Sequence, residues 1–346
     1  MISTILHSNV LIKIRNWEYW PFYLVHAPLF PYWLWLSLKA RSLVFFSASN
    51  PGILMGGMFG ESKFEILEKV SSEFKPKTIR VDLPTTVQGV RERMTQCDMR
   101  FPVIFKPDQG ERGWMVKKIC NEEEVGNYLT RIRISFLIQE FLDLPHEFGV
   151  FYIRYPTETT GRVTSIVGKE MLAVAGDGSK TLRQLIMEKD RAKLHWDSLQ
   201  VVYRDQLDEI IARGANMELV SIGNHCLGTK FLNKNHLITD ALSSSFDTMS
   251  KRIDGFYFGR FDLRAASEND LEQGKVMVME LNGCGAEPSH IYHPGFSLLE
   301  GMRILFKHWS DMYRVSMENH KLGVPFLPAR EAKMIYKKFR ALTAAE

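Results

Sequence analysis

Two short segments late in the chain restrict the fold more than any other feature. FGRFDLRA (258–265) and KVMVMELN (275–282) alternate apolar and polar residues and flank the polar turn ASENDLEQG, so they read as neighbouring strands. Glu280 and Asn282 are two apart and share one face of their strand; Arg260 and Asp262 do the same on theirs. Asp262, Glu280 and Asn282 bring three hard oxygen donors together, a set suited to Mg²⁺, which keeps waters and shares phosphate oxygens. Arg260 places a fixed cation beside them, where negative charge on a transferring phosphoryl group would be stabilised. A hydrogen-bonded strand pair with Glu280 in an ordinary ion pair would carry the same residues.

Strand-like and helix-like pieces alternate over the 346 residues without a strict βαβ rhythm, which predicts α+β with mainly antiparallel sheets. LVFFSAS (43–49) reads as a buried strand, NPGILMGGMFG as a Gly-rich loop, and 61–73 as a helix. FPVIFKP and WMVKKI are strands, and Asn121 caps a helix with an acidic first turn. FLIQEFL and EFGVFYIRY are strands joined by DLPH, and VTSIVGKEMLAV is another, leading through AGDGSK to a helix from Thr181. Residues 195–215 are expected to be mostly helical, and further helices are expected near 239–252, 296–314 and 329–343. A net charge of +4 without a Lys/Arg run excludes a nucleic-acid footprint. Four cysteines without a CxxC pair suit a reducing, cytoplasmic setting rather than a disulfide framework or zinc site.

Residues 1–50 form a distinct aromatic arm. Trp17, Trp20, Trp33 and Trp35, four of the seven tryptophans, lie in it. Pro21, Pro28 and Pro31 interrupt the apolar stretch, which argues against a spanning helix. Aromatic residues followed by Lys39 and Arg41 suit a surface-lying or re-entrant membrane contact through residues 17–46, at the cytoplasmic face. The alternative is an arm docked on the protein's own core or on a second subunit of a homodimer.

Two further elements carry candidate chemistry. Lys106 ends the apolar strand FPVIFKP beside the loop Asp108–Gly113, where a lysine can hold phosphates under a closing loop; a solvated strand end would look the same. Gln139 and Glu140 sit inside an apolar strand, where polar groups need partners. An adenine edge along the backbone of Gln139, Glu140, Phe141 and Leu142, and a ribose diol at Glu147, would supply them; a salt bridge would serve Glu147 equally well.

In this order the elements resemble the ATP-grasp superfamily, and within it the carboxylate-amine ligases such as D-alanine-D-alanine ligase, glutathione synthetase and cyanophycin synthetase. The resemblance runs from about residue 60 to 300; R-x-D with E-x-N is its most specific part, and GDGSKTLRQLI resembles the cyanophycin synthetase type. It implies two α+β subdomains, about 100–175 and about 176–325 within a domain of 51–325, clasping ATP between them, with 326–346 as a C-terminal helix. It implies that Lys63 and Lys106 contact phosphates, that 108–113 covers them, that Glu140 and its neighbours hold adenine and Glu147 the ribose. Asp262, Glu280 and Asn282 would bind one or two Mg²⁺ ions, with Mn²⁺ as an alternative. Arg260 and Lys106 would act on the reacting phosphates. The implied reaction makes an acyl-phosphate from a carboxylate and ATP, which an amine then attacks; small-molecule or lipid-linked substrates are the expected partners. A phosphotransferase or a non-catalytic ATP-binding protein on the same fold are the alternatives. The sequence departs from the family in three places. An aromatic arm stands where an α/β domain is usual, Glu111 and Arg112 replace small loop residues, and GCGAEPSHIYHPG, with His290 and His293 in HxxH spacing, follows Asn282.

Overall fold

The computed structural model describes residues 8–110 and 113–343. Glu111 and Arg112, with the expectations placed on them, lie outside the described residues, as do residues 1–7 of the arm. The strands are β1 Thr78–Val81, β2 Val103–Pro107, β3 Lys117–Ile119, β4 Phe136–Glu140, β5 His146–Ile153, β6 Arg162–Glu170, β7 Ala173–Ala175, β8 Asn216–Glu218, β9 Lys230–Asn233, β10 Phe258–Ala265 and β11 Met277–Asn282. They form a four-stranded sheet (β1-β4-β2-β3), a five-stranded sheet (β11-β10-β5-β6-β9) and a two-stranded ribbon (β7-β8). Every pairing is antiparallel. The chain is therefore α+β, as the alternation of its elements suggests.

Local rules place most elements. Asn121, Thr181 and Thr239 each cap a helix with a side-chain oxygen, Thr181 in a reciprocal capping box with Gln184. Residues 61–73 contribute the helix Lys63–Glu68, with Ile66 and Leu67 buried. On the small sheet, the rings of Phe105 and Phe136 meet Tyr128 of the helix Glu122–Leu129 at centroid distances of 5.1–5.4 Å, and the helix Val87–Gln96 joins the same core. One face of the large sheet (Phe148, Val150, Phe261, Leu263) packs with Leu242 and Phe246 of the helix Asp240–Lys251. The other face is divided. Phe151 and Phe258 join an apolar core with Phe45, Phe46 and the helix Leu298–Lys321, and beyond them the face becomes charged.

Several local expectations change. LVFFSAS is not a strand: Phe45–Ala48 is a 3₁₀ turn that buries both phenylalanines, and Asn319 Nδ2 donates to Ala48 O at 2.8 Å. A short apolar run has no periodicity to separate the two outcomes. VTSIVGKEMLAV divides into β6 and β7, which join different sheets. Within 195–215 only Trp196–Val202 is regular helix. The turn ASENDLEQG holds a helical turn, Glu268–Glu272, capped by Ser267.

The arm folds into the helices Asn9–Arg15, Phe22–His26 and Leu29–Ala40. Leu29, Leu36 and Ala40 are buried, Tyr32 Oη lies 2.7 Å from Ser310 Oγ, and Trp17 Nε1 donates to Phe296 O at 2.7 Å. One side of the arm is thus docked on the protein's own core. Among the described residues no helix is long and apolar enough to cross a membrane. The Gly-rich loop after the arm also has a defined seat: Cys284 N donates to Gly56 O at 3.0 Å and Gly285 N to Gly57 O at 2.8 Å. A Cβ at Gly57 would stand 2.6 Å from Gly283 Cα, so this backbone contact requires glycine.

Candidate active site

The register across β10 and β11 brings Asp262 opposite Glu280 and Arg260 opposite Asn282. Across β5, Asp262 faces Gly149 and Arg264 faces Glu147, which in turn faces Lys169 on β6. Directly opposed residues share a sheet face, so all of these side chains project from the charged half of one face. Arg260 grips Asp262 with two hydrogen bonds, Nε to Oδ1 at 3.1 Å and Nη2 to Oδ2 at 2.9 Å. Lys169 Nζ lies 3.4 Å from Asp262 Oδ1 and 3.0 Å from Glu147 Oε1. Asn282 Nδ2 donates to Asp262 Oδ2 at 2.9 Å, and Arg264 Nη2 holds Glu147 Oε2 at 3.1 Å.

Burial works against the charges of Arg260, Asp262 and Lys169, and pairing prevails. Burial would raise the Asp262 carboxyl, but Arg260 and Lys169 hold it below its ordinary value. Burial would lower Lys169, but Asp262 and Glu147 keep it above the usual lysine range. Gly149 sits beneath the cluster, where a Cβ would come within 3.1 Å of both Arg260 Cδ and Asp262 Oδ1. Gly223 closes its far side, where a Cβ would collide with Glu147 Oε1.

The small sheet approaches this face through Lys106 and Gln139. A bulge shifts the β10–β11 register just after Asp262, so Met279 has no partner on β10. Its carbonyl accepts from Lys106 Nζ at 2.9 Å and from Gln139 Nε2 at 3.2 Å. Lys106 also donates to Gln139 Oε1 at 3.1 Å. These are neutral acceptors, and burial brings the Lys106 pKa down to about 8 despite the more distant Glu280. Lys63 lies 3.6 Å from Glu280 Oε1 and donates to Gly110 O. Asp108 anchors the start of the loop: it accepts from Ser62 Oγ at 2.8 and 2.9 Å and from Phe64 N at 3.0 Å.

The adenine and ribose candidates are divided. Gln139 faces the large sheet. Glu140 is on the opposite side of β4, exposed, and accepts from Lys77 N at 3.3 Å, so only its backbone borders the space between the sheets. Glu140 and Phe141 edge a cavity of about 710 Å³ with Lys77 and Lys118. Leu142 O accepts from Arg264 Nη1 at 3.0 Å. Glu147 is in salt bridges with Lys169 and Arg264, the other partner open to it from sequence. His290 and His293 part company. His290 Nδ1 is 2.6 Å from Ser165 Oγ and burial pushes its pKa down to about 4, while His293 Nδ1 accepts from Asn233 N at 3.3 Å.

Sequence reasoning missed Lys169, Arg264, Gly149 and the arm's own contribution. R-x-D-x-R carries Arg264 onto the face of Asp262 by simple alternation, and a lysine inside the apolar run IVGKE marked Lys169. The arm enters through His26, whose Nε2 pairs with the half-buried Glu287 carboxylate. Burial would raise Glu287, but His26 and Tyr292 keep it low. Arg260 Nη1 donates to Ser289 Oγ at 2.7 Å and to Glu287 O at 3.3 Å, so the arm lies one residue away from the charged cluster. A second arm residue, Glu18, is buried against Arg191 at 2.6 Å and His225 at 3.1 Å.

Among the described residues no three His, Cys, Asp or Glu side chains cluster as metal ligands. Two carboxylates on facing strand positions, with an amide beside them, nevertheless fit a divalent cation that takes part of its shell from water and phosphate. Glu280 is the accessible member, its side chain 29% exposed, whereas Asp262 is already neutralised.

No family model matches the chain, and no curated protein matches it. Among solved structures, the chain is similar at low identity to three ligases and synthetases. A bifunctional glutathione synthetase from Pasteurella multocida is 14% identical with a TM-score of 0.37, over 71% of this chain and 36% of that one. A D-Ala:D-Ser ligase from Enterococcus faecalis is 12% identical with a TM-score of 0.41, over 74% of this chain and 62% of that one. A D-alanine–D-alanine ligase from Bacillus anthracis is 13% identical with a TM-score of 0.44, over 79% of this chain and 72% of that one.

Proposed function

We propose that this protein binds MgATP between its two larger sheets and uses it to activate a carboxylate as an acyl-phosphate for attack by an amine. The observation that carries the proposal is the convergence of Arg260, Asp262, Glu280 and Asn282 on one sheet face, with Lys106 reaching the same strand pair at Met279. Asp262, Glu280 and Asn282 would hold the magnesium, which when bound neutralises phosphate charge. Lys106, buried and bonded only to neutral oxygens among the described residues, would give its charge to a phosphate. Lys63, tethered to the glycine loop at Gly110, would follow that loop as it closes. Arg260, held flat by Asp262 and Ser289, would meet the transferring phosphoryl group without reorganising. The backbone of Gln139–Leu142 would border adenine, and positioning with charge neutralisation would supply most of the rate.

Glu280→Gln tests the site, because it removes one proposed ligand without disturbing the Arg260–Asp262–Lys169 pairing. MgATP should raise the thermal midpoint of the wild type and leave that of the variant unchanged, with both folded to the same extent without nucleotide. Equal MgATP stabilisation of the two proteins would refute the assignment. ADP release in a screen of carboxylates with amines would then identify the substrate class. A stable phosphorylated acceptor formed without amine would exclude the ligase chemistry.

A further inference from the structure

The outer side of the arm is as apolar as the inner one. On the helix Leu29–Ala40, Phe30, Leu34 and Leu38 recur every fourth residue and are 63%, 41% and 70% exposed, with Trp35 beside them at 49%. Phe22, Tyr23 and Leu24 continue the apolar surface on the preceding turn, each more than half exposed. A helix that is apolar all round is ordinarily buried. Here one side packs against Phe306 and Ser310, and the other faces outward.

Charge identifies what the outward side suits. From Tyr19 to Gly60 the sequence contains no aspartate or glutamate. The one carboxylate earlier in the described arm, Glu18, is buried against Arg191. The basic residues are exposed: Lys13 and Arg15 on the first helix, Lys39 and Arg41 at the end of the third. Lys39 Nζ lies 4.4 Å from the centre of the Trp35 ring, so a cation and an interfacial aromatic ring are presented together. Apolar side chains, interfacial tryptophan and tyrosine, and exposed cations in a stretch of sequence without exposed carboxylates match an anionic phospholipid surface. A second copy of this chain would bring the same cations against them.

We propose that the outer side of residues 22–41 docks on the surface of an anionic lipid bilayer, lying in the interface without crossing it. This inference stands apart from the nucleotide site and does not depend on it.

The test is flotation of the full chain with vesicles of phosphatidylcholine alone and of phosphatidylcholine with phosphatidylglycerol. The wild type should float with the anionic vesicles and less with the neutral ones. Leu34→Ser with Leu38→Ser, both solvent-facing, should cut the floated fraction about tenfold. Lys39→Glu with Arg41→Glu should reduce it by about fivefold or more for each residue at low salt. The MgATP response of both double variants should match the wild type. Three results would overturn the proposal: wild type remaining at the bottom of the gradient with anionic vesicles, flotation indifferent to both double variants, or a dimer in solution that the serine variant dissociates.

Discussion

The two sheets that face each other across the proposed nucleotide space handle charge in opposite ways. On the large sheet, Asp262 and Glu147 are each shared by two cations, so that each of the three cations has a carboxylate beside it. On the small sheet, Lys106 is equally enclosed but among the described residues bonds only to the side-chain oxygen of Gln139 and the carbonyl of Met279. In the first arrangement the charges already face partners within the protein; the second leaves a positive charge that an incoming phosphate would satisfy. Electrostatic strain is thus concentrated on one wall, while the other supplies a rigid floor.

The sharpest way to break this contrast is Asp262→Asn. It would leave Arg260 and Lys169 without the buried carboxylate they share, and removing one partner of a buried pair costs about 3–5 kcal/mol. Urea denaturation should show a loss of that size, far larger than for Glu280→Gln; equal losses would mean that the floor is not held by its pairing. Gly149→Ala disturbs the same floor without changing charge, by pressing a methyl group against Val167, Arg260 and Asp262. Overpacking of this kind costs about 1–3 kcal/mol, and an unchanged denaturation midpoint would show that the cluster can move aside.

Lys106→Met probes the wall, with an effect of opposite sign. The folded pKa of about 8 is below the ordinary 10.5, so the unfolded chain binds the proton more tightly and the charged lysine destabilises the folded state. That penalty is complete below pH 8 and disappears as pH rises from about 8 to 10.5. Without nucleotide, the methionine variant should be the more stable protein at pH 7, and the gap should close by pH 10. A variant less stable than wild type at pH 7 would show that the two hydrogen bonds outweigh desolvation.

What could be read in advance followed rules local to the chain. Asn121, Thr181 and Thr239 announce helix starts, and two-residue spacing aligns Arg260 with Asp262 and Glu280 with Asn282. What escaped depends on register between distant strands. Lys169 reaches Glu147 because β6 pairs with β5 at that offset, and Met279 offers its carbonyl because a bulge falls beside it. The phenylalanines at 45 and 46 were legible as buried, but not as a 3₁₀ turn, because the partner that shapes the turn is a helix some 250 residues later.

The pairs that tie the arm to the body have a practical consequence for anyone trimming this protein. His26 meets Glu287 across 261 residues of sequence, and Arg191 meets Glu18 across 173. A shortened chain beginning after the third helix would lose a hydrophobic segment and would also leave the half-buried Glu287 and the buried Arg191 without these ion-pair partners. Its behaviour would then record damage next to Arg260 rather than the absence of an anchor. The arm is better dissected one outward-facing side chain at a time.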